Sequence, residues 1–128
     1  MLKIREEQMV HLGASHREEF IASTRRDLEI LFPDEPAIKE ESASRALIEF
    51  GIERAGEYGI TRGREVALFI FLVQDLGRDF EKLPDNVWIK ELLDDAELEE
   101  QERMDLIYTR LELRSRVNGG AQANAPGK

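Results

Sequence analysis

Apolar residues recur at spacings of three and four along most of this chain, and no Asn-Gly or Asp-Gly turn sits between runs that alternate with period two. That periodicity predicts helices rather than strands. The first segment, from about Arg5 to Phe32, sets Met9, Gly13, His16, Phe20, Thr24, Leu28 and Leu31 on one stripe, widened by Leu12, Ile21 and Ile30. Pro33 ends it, because a residue before proline is pushed out of the α region. After the turn Pro33-Asp34-Glu35-Pro36, a second helix is predicted from about Ile38 to Tyr58, with Ala43, Leu47, Phe50, Gly51, Arg54 and Tyr58 facing inward. Gly59 suits its C-terminal stop. Thr61 is then a suitable N-cap for a third helix, about Arg62 to Asp79.

That third segment is apolar almost all the way round over residues 66–73, as a helix at the centre of a domain would be. A buried strand is the competing reading of those eight residues. The polar flanks, Arg62 to Glu65 and Gln74 to Asp79, carry the helical spacing past strand length. Pro84-Asp85-Asn86 opens a short fourth helix, Val87 to Leu93, capped by Asp85 or Asn86. Asp94 or Asp95 caps a fifth, about Glu97 to Arg116, whose stripe is Met104, Ile107, Tyr108 and Leu111. From Asn118 no large apolar residue remains, which predicts a disordered tail over 118–128. The expected architecture is all-α: one compact bundle of about five helices spanning 1–117, packed around the central apolar helix.

Composition narrows the chemistry. The chain has 128 residues, 41% hydrophobic and 35% charged, enough for one domain with one core. Cysteine is absent, which excludes disulfides, thiolate metal sites and thiol catalysis. With 18 basic and 27 acidic residues the net charge is −9, so nucleic acid and anionic membrane are poor partners. No run approaches the roughly 20 apolar residues of a membrane span. The opening MLKIREEQ has no apolar signal core, so a cytoplasmic protein is expected.

Residues able to do chemistry are few. His11 and His16 are five apart, about 140° around a helix from each other, so they do not form a helical metal pair. Asp75 and Asp79 are four apart and would share a helix face, where a carboxylate pair can share a proton or hold a metal. Local ion pairing is the simpler reading in so acidic a chain. Asp94-Asp95 reads as a helix cap. No nucleophile elbow, phosphate loop, His-Glu-x-x-His helix or EF-hand loop is present. A non-enzymatic protein is therefore expected, with no catalytic residues, no cofactor and no metal. Residues 81–105 hold ten acids and three bases, seven of the nine net negative charges. That stretch is either a solvated surface or a face for a basic partner. Trp88, the one tryptophan, either closes the core or anchors a partner.

A set of short pieces gives a further lead: IREEQM, FI, LFP, LIEFGIERAGEYGIT, GRDF, a tryptophan before ELLDD, and ERMDLIY. They hold Met9, Phe20, Phe32, Pro33, Gly51, Ala55, Tyr58, Gly59, Ile60, Gly77, Arg78, Asp79, Phe80, Trp88, Met104 and Tyr108. In these pieces the chain from Ile4 to Tyr108 resembles a family of small helical accessory proteins encoded in bacterial clusters beside type VI secretion spike, PAAR-tip and effector genes. GRDF after an apolar helix, with a tryptophan eight residues beyond Phe80, is the most distinctive part. The resemblance implies a protein partner, a secretion effector or spike component, and an adaptor or chaperone role. The alternative is an immunity protein that neutralises a toxin through the acidic stretch. An exposed apolar patch between Gly77 and Trp88 is expected, with Arg78, Phe80, Trp88, Asp94 and Asp95 as partner-binding candidates. Self-association through apolar surface stays open as well.

Overall fold

The computed structural model describes residues 14–124, with side chains over 16–114. All regular structure among them is helical: α1 (Ala14–Leu31), α2 (Pro36–Lys39), α3 (Glu41–Glu57), α4 (Gly63–Leu76), α5 (Val87–Leu93) and α6 (Glu100–Asn124). Two 3-10 turns, Phe80–Lys82 and Pro84–Asn86, lead from α4 into α5. The apolar run over 66–73 is helical, and α4 packs against α1, α3 and α6. The bundle is thus organised around the segment with the least polar periphery, because that helix has the most surface to remove from water.

The core is continuous. Ile21 and Leu28 of α1, Ile48 and Ile52 of α3, Phe69 and Ile70 of α4, Ile89 of α5, and Met104 and Ile107 of α6 are all buried. Phe69 sits at its aromatic centre, with the Phe80 ring 5.7 Å away on one side and Tyr58 6.0 Å away on the other. Helices α3 and α4 meet closely at Gly51. A Cβ placed there would lie 2.4 Å from Cγ1 of Ile70, so this contact admits only glycine without movement.

Several element ends differ from the periodic reading, each for a local reason. The second predicted helix is broken at Glu40, which adopts extended backbone (φ −85°, ψ 120°). Its carboxylate accepts from the Ala43 N–H at 2.7 Å and from the Ser42 hydroxyl at 2.9 Å, restarting the helix as an N-cap. Of the expected stripe of α3, Leu47 and Gly51 are buried and Ala43, Phe50, Arg54 and Tyr58 half-buried, and the buried face extends to Ser44, Ile48, Ile52 and Ala55. Helix α4 stops at Leu76 rather than Asp79, because Gly77 turns the chain with φ 107°. Thr61 does not cap it. Its N-cap position is Arg62, and the cap comes from Glu100, whose Oε1 accepts from the Thr61 N–H at 2.9 Å and the Arg62 N–H at 3.0 Å.

Helix α6 starts at Glu100 instead of Glu97, after a turn in which Asp95 accepts from the Glu97 N–H (3.0 Å) and Glu102 from the Glu99 N–H (3.0 Å). It runs on to Asn124, through the start of the segment expected to be a tail; adding residues to a formed helix needs no new nucleus. The expectations for residues 125–128, and for Met9, His11, Leu12 and Gly13, lie outside the described residues.

Arg103 ties the C-terminal ends of α3 and α5 to α6. Its Nη1 donates to the carbonyls of Tyr58 (2.8 Å) and Leu93 (3.2 Å), and its Nε to that of Leu98 (3.0 Å). One half-buried guanidinium thus satisfies the last carbonyl of α5 and two carbonyls outside the helices.

Candidate functional site: an apolar groove with an acidic margin

Four separate parts of the chain enclose a groove of about 1230 Å³. The end of α1 contributes Leu31 and Phe32, and the outer face of α4 contributes Phe71, Leu72, Asp75 and Leu76. Residues 83–86 form a third wall, and α6 a fourth through Tyr108, Leu111, Glu112 and Arg114. The groove exists because α4 is apolar around more of its circumference than α1, α3 and α6 cover. Phe71 and Leu76 remain half-buried there, while Phe69, Ile70 and Val73 on the same helix are fully covered. At the lips, Leu31 is 53% and Leu83 49% exposed. Leu31 was expected on the core stripe of the first helix; the stripe ends at Leu28, and the last turn of α1 projects beyond its neighbours.

The polar groups of the groove divide into two kinds. Some are committed to the fold. The Tyr108 hydroxyl donates to the Leu68 carbonyl at 2.6 Å, and burial, with the charge of Asp75 second, holds this phenol well above its ordinary range. Asn86 Nδ2 donates to the Phe80 carbonyl at 3.0 Å and the Asn86 N–H to the Leu83 carbonyl at 2.9 Å, which fixes the third wall. Others face outward: Asp75 and Asp85 are exposed and make no ion pair among the described residues.

The five residues singled out from the sequence lie elsewhere. Phe80 is completely buried, so it cannot meet a partner while the domain is folded. The Arg78 guanidinium lies 4.8 Å over the Phe50 ring, which also receives Arg54 at 5.0 Å. Trp88 is half-buried beneath Arg110, whose guanidinium lies 4.7 Å from the ring. Asp94 pairs with Lys90 at 2.6 Å, and Asp95 serves its own turn. None of the five lines the groove, although residues 83–86 of the stretch between Gly77 and Trp88 do.

Asp75 and Asp79 do not share a helix face, contrary to the spacing argument. Asp79 falls beyond the Gly77 turn and lies 3.6 Å from Arg54 and 3.8 Å from Lys82. His16 is half-buried on α1. Among the described residues no three acidic or histidine side chains cluster as metal ligands. Arg54 also pairs with Glu81, a buried carboxylate that accepts the Tyr58 hydroxyl at 3.2 Å. Burial first and Glu81 second push the Tyr58 phenol upward.

Much of the acidic stretch is occupied inside the chain. Glu81, Asp94, Asp95, Glu100, Glu102 and Asp105 each hold a cation or a backbone N–H. Among the described residues no helix is long and apolar enough to cross a membrane. Comparison of the chain with protein-family models, with curated proteins and with solved structures returned no match.

Proposed function

We propose that this chain is a non-enzymatic protein-interaction module that holds a partner protein in its apolar groove. The observation that carries this reading is the groove itself: an apolar floor between α4 and α6, with Leu31 and Leu83 standing half in solvent at its lips. Leaving such leucines exposed costs solubility and gains the fold nothing, whereas covering them by a partner removes apolar surface from water at about 25 cal/mol per Å². The separation of Asp75 from Asp79 also favours binding over carboxylate catalysis. The resemblance described above points to the kind of partner: a type VI secretion effector or spike component, met in the cytoplasm, with this chain as adaptor or chaperone.

The immunity alternative draws less support. A toxin-blocking acidic face needs carboxylates free to meet a cation; seven of the ten acids in residues 81–105 are exposed, but Asp94 already holds Lys90, Asp105 holds Arg64, and Glu102 accepts a backbone N–H.

The test is co-purification of the tagged chain from its native cell lysate, read by mass spectrometry, for wild type and Leu83→Asp. Leu83 is exposed, so the variant is expected to fold and to lose a near-stoichiometric secretion partner. Equal capture by both proteins would remove the groove as the interface, and no partner at all would count against the whole reading.

A further inference from the structure

We propose that the groove takes one amphipathic helix of the partner protein, apolar along one face and bearing lysine or arginine along the margins of that face. This deepens the interaction reading and rests on it. The volume fits: two turns of helix with side chains fill roughly 1000 Å³, against about 1230 Å³ here. The lining fits too. Phe71, Leu76 and Leu111 offer an apolar floor to residues spaced at i, i+3, i+4 and i+7. A strand is a poor occupant, since the helical walls present no unpaired backbone edge for it to extend.

Charge decides the chemistry of the margins. Asp75 and Asp85 stand exposed at the groove without an ion pair among the described residues, beside Glu112 and Arg114. Basic flanks on the incoming helix would meet them. Charge also argues against a second copy of this chain. A two-fold interface sets the same patch on both sides, so a lining with three acids, Asp75, Asp85 and Glu112, and one arginine, Arg114, would meet its own net negative charge between molecules that each carry −9.

The experiment titrates the isotope-labelled full chain with a 16-residue helical peptide of leucine on one face and lysine on its flanks, and with its counterpart carrying glutamate for lysine. The leucine–lysine peptide is expected to shift the amides of Leu76, Leu83 and Leu111. Its affinity should fall about tenfold in Asp75→Lys with Asp85→Lys, and less than about twofold in the control Glu97→Lys with Glu99→Lys. The glutamate peptide should gain on the first double variant.

Equal losses in the two double variants would mean mere attraction to an acidic chain and would overturn the proposal. So would a shift map away from the groove, no binding, or a dimer of the free chain abolished by Leu83→Asp. If Leu83→Asp abolishes partner capture while the lysine peptide neither binds nor competes, the interaction reading stands and the basic helix falls.

Discussion

Gly51 is a point of close approach between two core helices, and its effect can be measured. A methyl group at this position would collide with Cγ1 of Ile70, a branched side chain with little freedom to yield. Gly51→Ala is therefore expected to destabilise the domain by about 1–3 kcal/mol, despite the better helix propensity of alanine. Denaturant unfolding of Gly51→Ala, Ile70→Ala and the double variant checks it: the Gly51→Ala penalty should shrink when Ile70 is already truncated. An additive cycle would mean that the two residues are not coupled.

The tyrosines offer a second readout at the same scale. The chain has two, Tyr58 and Tyr108, and both phenols are held above the ordinary value of 10.0, chiefly by burial. A phenol whose folded pKa is raised stabilises the fold below the unfolded value, and that contribution is lost as pH rises toward the folded one. Absorbance near 295 nm is thus expected to stay flat through pH 10 and then to rise together with loss of helical circular dichroism. A separate transition near pH 10 in the folded protein would show that one phenol is open to solvent.

Among the helices, interior periodicity was legible and the boundaries were not. Val87–Leu93 emerges with the bounds as read, although its N-cap residue Asn86 makes no side-chain cap and donates instead to the Phe80 carbonyl. The apolar segment over 66–73 emerges as the central helix, because long runs of spacing leave little choice. The break at Glu40 was hidden because an acid beginning a helical turn looks like any surface acid until its carboxylate is seen on the Ala43 N–H. The cap of α4 was out of reach, since Glu100 lies 38 residues beyond Arg62. Its removal has a definite consequence. Glu100→Ala leaves the Thr61 and Arg62 N–H groups without that acceptor at the positive end of α4, and is expected to lower stability by about 1–2 kcal/mol. A shifted urea midpoint at unchanged slope would agree; an unchanged midpoint would show that another acceptor takes its place.

For the molecule as a whole, the charge excess and the groove tell different stories. The acidic stretch looked like one lobe because its residues are neighbours in sequence. In the fold its members disperse: Glu81 goes inward to Arg54, Glu100 goes to the α4 N-terminus, and Asp105 goes to Arg64. The groove has the opposite character, with no sequence signature, because it joins residues 31–32, 71–76, 83–86 and 108–114. The one clue was the surplus of apolar positions on the central helix, more than its neighbours could cover. GRDF drew attention to Arg78 and Phe80, yet its buried phenylalanine serves the core, while the wall three residues later faces solvent.

The reach of Glu100 and Arg103 back to residues 58–62 also sets an order of events during synthesis. At 5–20 residues per second, Glu100 leaves the ribosome roughly 2–8 s after Arg62, to which it will bind across 38 residues. Throughout that interval α3 and α4 can pair, but the start of α4 has only water for its first N–H groups, and Met104 and Ile107 are not yet there to cover the core. The nascent chain therefore passes through a stage in which its most apolar helix is the most exposed, and that stage closes only when the first turns of α6 arrive.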